Sequence, residues 1–238
     1  CAAVAKTGRQ IRTGQILDAM RHTDRSLEIA ELAVRHRDNG VVGFDIAGPE
    51  LGFPPANHKV AFDYLAAELM PVTVHAGEAD GIDSIRDAIY SGRTLRLGHG
   101  ARLAEDIGWT RSEGDTMFVE LGPVAEWVHD RGLALELCPS SNLQTGVLSD
   151  MGLVNELGEH PFAALYDLGF KVTVSPDNRL MSNTSITNEL EMLVDEFEYE
   201  LEDIQQFQLN AAEATFQAHD DREELIEQIL NGFAKFAK

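Results

Sequence analysis

The sequence predicts an α/β fold of the TIM (β/α)8 barrel type, with about six of the eight β/α units in this chain. Three observations lead there. Short apolar, β-branched runs alternate with amphipathic helical stretches, which is the pattern of a parallel sheet covered on both faces. Nearly every such run ends in a polar residue of catalytic type, as in barrels, whose strand C-termini carry the site. No G-x-G-x-x-G or Walker sequence occurs, so the usual phosphate-binding doubly wound folds lose their signature. A chain of 238 residues without repeats, low-complexity tracts or linkers reads as a single domain over 1–238.

In chain order, residues 1–12 read as a helix tail and a basic connector. Gly14 to Met20 is predicted as a strand with Arg21 and His22 at its end, and Ser26 as the cap of an amphipathic helix stopped by Asn39-Gly40. Val41 to Ile46 is a strand followed by the loop Ala47-Gly48-Pro49-Glu50, and Pro54-Pro55 leads into a helix over 56–69. The strand Val72-Thr73-Val74 runs into His75-Ala76-Gly77-Glu78, with a helix over 81–91 behind it. Thr94 to Leu97 is a short strand ending in Gly98-His99-Gly100, then a loop over 101–116 and a helix over 119–130. Leu133 to Leu137 ends in Cys138-Pro139-Ser140-Ser141-Asn142, and a glycine-containing loop follows. Pro161 opens a helix to Leu168, and Lys171 to Ser175 ends in Pro176-Asp177-Asn178. Helices fill about 185–238 with a break near 220.

Composition narrows the class of function. The formal charge of −21 argues against nucleic acid, which wants a basic face. Much of that acidity lies between Glu189 and Glu227 and reads as solvated helix faces. No run of about 18 apolar residues suits a membrane, and the first ten residues lack the apolar core of a signal peptide. Two cysteines, Cys1 and Cys138, suggest a reducing compartment, the cytoplasm, and offer no thiolate metal cage.

His75, Glu78, His99, Asp177 and Asn178 form the candidate constellation. Imidazole and carboxylate suit zinc, and a catalytic zinc keeps one position open for water, whose pKa it lowers towards about 7. Glu78, three residues past His75 on one strand-end turn, can reach a substrate beside the metal without being a ligand. Asp177 reads equally as a helix N-cap. Ser140, Ser141 and Asn142 read as loop-positioning residues. His36, His58, His129, His160 and His219 read as surface or local hydrogen-bonding residues, and His22 stands apart because it ends a strand.

The segments VTVHAGE, RLGHG, ELCPSSNLQTG and VTVSPDNRLMSNTS, with ILDAMRH and GFDIAGPE ahead of them, resemble the adenosine deaminase family over nearly the whole chain. They resemble the bacterial branch, in which the last motif reads Asp-Asn. The resemblance implies a barrel of the metal-dependent hydrolase type. It also implies one zinc ion per complete site and a small purine nucleoside as substrate. It places His75 and Asp177 as zinc ligands, Glu78 as proton donor to purine N1, and His99 as the histidine that orients and deprotonates the water. Gly48 then meets purine N3 through its backbone, and Asn178 meets N7. Water activated by zinc adds at C6 of adenosine, or deoxyadenosine, and ammonia leaves to give inosine.

One departure stands out. Family members carry His-x-His on a first strand as two further zinc ligands, and no His-x-His occurs here. The first two strands of the barrel are expected to belong to a longer chain, with this sequence its C-terminal part. Two alternatives stay open: deamination of another aminopurine such as adenine, and a catalytically incomplete or purely structural fragment.

Overall fold

The computed structural model describes residues 12–111 and 117–236. The predicted helix tail and connector at the start lie outside these residues, Arg12 excepted. Six parallel strands form the frame: β1 (Gln15–Met20), β2 (Val41–Ala47), β3 (Thr73–Ala76), β4 (Arg96–His99), β7 (Ala134–Leu137) and β8 (Val172–Val174). β1 pairs with β2, and β3, β4, β7 and β8 form a four-stranded sheet in that order. The parallel bridge between Phe44 and Val72, with Phe44 N–H donating to Pro71 O at 3.0 Å, joins the two sheets into one arc. Neither the outer edge of β1 nor that of β8 has a strand partner among the described residues. The frame is a partial barrel.

Outward-facing strand positions such as Val74, Leu97 and Leu135 are apolar because helices cover that face. These are α1 (Ser26–Arg35), α2 (Lys59–Ala67), α3 (Ile82–Tyr90) and α4 (Pro123–Arg131), followed after β7 by α5 (Pro139–Thr145), α6 (Val147–Asp150) and α7 (Phe162–Asp167). Behind β8 come α8 (Ile186–Phe197), α9 (Leu201–Glu213) and α10 (His219–Phe233). The buried stripes Ala30/Ala33, Phe62/Leu65, Ile85/Ala88, Val124/Val128 and Phe162/Leu165 meet Phe44, Ile46, Val74, Leu97, Leu135 and Val172 of the strands in one core cluster.

The register places alternate residues on the inner face. Thr73 and His75 of β3 lie opposite Arg96 and Gly98 of β4, and Gly98 lies opposite Glu136 of β7. Thr73 Oγ1 donates to Glu136 Oε2 at 2.9 Å, and Arg96 pairs with Glu136 at 2.9 Å, so three strands are tied across the lumen by polar groups. Below this layer the Phe216 ring enters. A Cβ on Gly43 would lie 2.6 Å from it, and the Arg96 guanidinium sits 3.8 Å from its centroid.

Several expectations are corrected. Residues 107–121 contain an antiparallel hairpin, β5 (Ile107–Arg111) with β6 (Met117–Leu121), in place of a loop and a helix start. Helix α4 begins only at Pro123, where proline fits the first turn. Two short helices, α5 and α6, replace the loop expected after Cys138. Ser26 is the first helical residue rather than the cap, and Arg25 precedes it without a side-chain cap bond. Strand β4 runs two residues later than expected, with Thr94 Oγ1 bonded to Arg96 O ahead of it. The C-terminal helices break near 199 and near 216 rather than once near 220.

Candidate functional site

The site is built at the C-terminal ends of β3, β4 and β8. His75 ends the apolar run of β3 with its ring on the inner face. Gly98 on the neighbouring strand leaves the space: a Cβ there would lie 3.0 Å from His75 Cα and 3.2 Å from its ring. Asp45, an ionisable residue within the apolar strand β2, takes His75 Nδ1 at 2.7 Å and the His75 backbone N–H at 3.1 Å. Burial opposes a charge on the ring, but the Asp45 carboxylate outweighs it and raises the His75 pKa. With Nδ1 held by a carboxylate, Nε2 is the free donor, the arrangement that orients a histidine towards a metal.

Glu78 sits on the turn that follows. Gly77 (φ 77°) provides the left-handed bend. The turn is held from below by Glu50, whose buried carboxylate accepts the backbone N–H groups of Gly77, Glu78, Ala79 and Asp80 at 2.7–3.1 Å and the Ser84 hydroxyl at 2.6 Å. Arg21, also buried, donates to His75 O at 2.8 Å and Phe53 O at 2.9 Å, binding the end of β1 to β3.

His99 ends β4 with φ 63°, and Asp177 follows β8 with φ 51°. Such left-handed non-glycine residues cost on the order of 1 kcal/mol or more and gather at functional sites. His99 is 2% exposed, and burial lowers its pKa against the pull of Glu78. His99 Nε2 lies 3.5 Å from Glu78 Oε2, and its ring centroid is 5.4 Å from that of His75. Its Nδ1 meets Asn142 Nδ2 at 3.0 Å. Asp177 Oδ2 accepts from Ser141 Oγ at 2.7 Å.

His75, Glu78 and His99 are therefore brought together, and Asp177 is tied to the same cluster through Ser141, the neighbour of the Asn142 that meets His99. Gly48 (φ 96°) lies past the end of β2; a Cβ there would come within 2.9 Å of Met20 Cε and 3.6 Å of His22 Nδ1. His22 is exposed at that rim, its ring 6.4 Å from Phe53. Asn178 is exposed, and its Oδ1 accepts from Met181 N at 3.2 Å.

The donor set fits zinc in chemistry and falls short in number. His75, oriented by Asp45, and Asp177, a carboxylate with one oxygen engaged, are two donors of the right kind. No group of three or more His, Cys, Asp or Glu side chains set to hold a metal occurs among the described residues. Cys138 is no substitute: it is buried, its thiol pushed well above its ordinary pKa, chiefly by that burial.

The adenosine deaminase family model matches residues 1–232. The chain belongs to the adenosine deaminase family. It is 48% identical over 229 residues to "Adenosine deaminase 1" of Streptomyces coelicolor, covering 96% of this chain and 55% of that protein. It spans 55–60% of the length of the first curated relatives it matches. Among solved structures, adenine deaminase from Arthrobacter aurescens superposes with a TM-score of 0.82 at 20% identity, over 98% of this chain and 65% of that one. An amidohydrolase from Burkholderia ambifaria, solved with bound Zn, gives 0.79 at 19% identity over 98% and 60%. At these identities the structures establish a shared fold.

Within this adenosine deaminase family chain, Asp45, Glu50, Arg21, Asn142 and His160 were missed as site residues. Asp45 had a signal, a lone acid inside the apolar run VVGFDIA. Asn142 and Ser141, read as loop-positioning, instead touch His99 and Asp177. His160 is 3% exposed and bonds to Asn142, although it lies 61 residues from His99 in sequence.

Proposed function

We propose that the complete protein hydrolytically deaminates adenosine, and deoxyadenosine with it, to inosine and ammonia, and that this chain supplies most of the site. The observation that supports this best is the strand-end cluster: an Asp45-oriented His75, with Glu78 3.5 Å from His99, in a chain of this family. His75 and Asp177 would hold zinc together with donors from outside the described residues. Zinc, when bound, supplies a Lewis acid that makes water nucleophilic near neutral pH. Glu78 delivers a proton to purine N1 as the water oxygen adds at C6. His99 orients that water, and Gly48 and Asn178 hold the edges of the purine. The proton balance is neutral overall, because water is consumed and ammonia leaves.

The test is loss of the adenine ultraviolet band by the complete, zinc-loaded protein on adenosine, deoxyadenosine and adenine. Both nucleosides are expected to turn over, and Glu78→Gln to lower kcat by about 10²–10⁴-fold with zinc content unchanged. Adenine as the preferred substrate, or equal activity of Glu78→Gln, would overturn the reading.

A further inference from the structure

A buried chain of hydrogen bonds runs from the backbone of α7 to His99, and its direction is fixed at one end. The Phe162 backbone N–H can only donate, and it points at His160 Nδ1 at 3.0 Å. That nitrogen is therefore an acceptor. A neutral imidazole carries one N–H, so His160 carries it on Nε2, which faces Asn142 Oδ1 at 3.1 Å. The Asn142 carbonyl is thereby committed to His160, and its amide nitrogen turns to His99 Nδ1 at 3.0 Å. An amide nitrogen only donates, so His99 Nδ1 holds a lone pair and the ring proton resides on Nε2, 3.5 Å from Glu78 Oε2.

The alternative arrangement fails. Reversing the Asn142 amide would set its N–H₂ against the Nε2–H of His160, leaving buried donors facing each other at a cost of about 1–3 kcal/mol each. His99, Asn142 and His160 are 2%, 0% and 3% exposed, so solvent has little access to the chain. Burial also pushes the His160 pKa down to about 4, which keeps that ring neutral.

We infer that Asn142 and His160 are positioning residues that lock His99 as its Nε2–H tautomer, so that its site-facing nitrogen donates a hydrogen bond and does not accept a proton. The tautomer follows from the hydrogen bonds alone; its catalytic meaning rests on the deaminase reading above. In that reaction His99 holds the reacting oxygen by donation. The proton that the water loses passes to the Glu78 carboxylate, which carries it on to purine N1.

The test reads the tautomer directly. Long-range ¹H–¹⁵N spectra of the histidine-labelled protein at neutral pH distinguish Nδ1–H from Nε2–H rings, with His99 assigned by His99→Gln. Nε2–H is expected for both His99 and His160; Nδ1–H at either would overturn the inference. Asn142→Asp puts an acceptor opposite His99 Nδ1 and is expected to move a proton there; an unchanged His99 pattern in the folded variant would also overturn it. His160→Gln keeps an N–H for Asn142 and is expected to preserve the His99 pattern, whereas His160→Leu releases the amide and is expected to lose it. Absence of adenosine turnover with the Nε2–H pattern intact would remove the deaminase reading and leave the lock standing.

Discussion

Asp45 is the side chain on which the orientation of His75 depends. It holds both the ring and the backbone N–H of that residue, so its loss frees the ring to rotate. Asp45→Ala is expected to weaken zinc binding by the complete protein about 10–100-fold, measured by competition with a chromophoric chelator. Unchanged affinity would mean that His75 is held by something else. At this scale the sequence exposes the residues that end strands. His75, Glu78, His99 and Asp177 stand out because each follows an apolar run. Asn142 and His160 do not, because their meaning lies in bonds to residues 43 and 18 positions away that no local pattern records.

The Gly77–Asp80 turn carries the same lesson for whole elements. It is ordered less by its own residues than by Glu50, 27 to 30 positions earlier. Removing that acceptor strands the buried Gly77 N–H and the Ser84 hydroxyl. Glu50→Ala is expected to lower stability by about 2–3 kcal/mol, read from the denaturant midpoint, and to loosen Glu78. A shift below about 0.5 kcal/mol would show that the turn stands unaided. The β/α alternation was legible because helical and strand periods differ so clearly. The β5–β6 hairpin was not. Its Trp109, Thr110, Phe118 and Val119 are good strand formers, and Val119 and Leu121 pack on the core, but so short an apolar run just ahead of Pro123 reads equally well as the start of the helix that follows. Residues 112–116, between its two strands, lie outside the described residues.

As a whole, the molecule is an arc of six parallel strands with a polar lumen and two unpaired outer strand edges among the described residues. Ile16 and Met20 of β1 share a strand face with Asp18 and are large apolar side chains left exposed there. The barrel type was legible because six consecutive strand–helix units keep their order. A full metal-ligand set was not, because no His-x-His occurs in the sequence and His75 and Asp177 alone name no third donor. The central claim is that this chain holds the His75–Glu78–His99–Asp177 side of a deaminase site whose remaining metal donors lie elsewhere. The most direct test follows adenosine by ultraviolet absorbance with zinc present, comparing the 238 residues alone with the chain extended upstream. Turnover by the extended chain and none by the 238 residues is the expected result; equal turnover by both, or none by the extended chain, would contradict it.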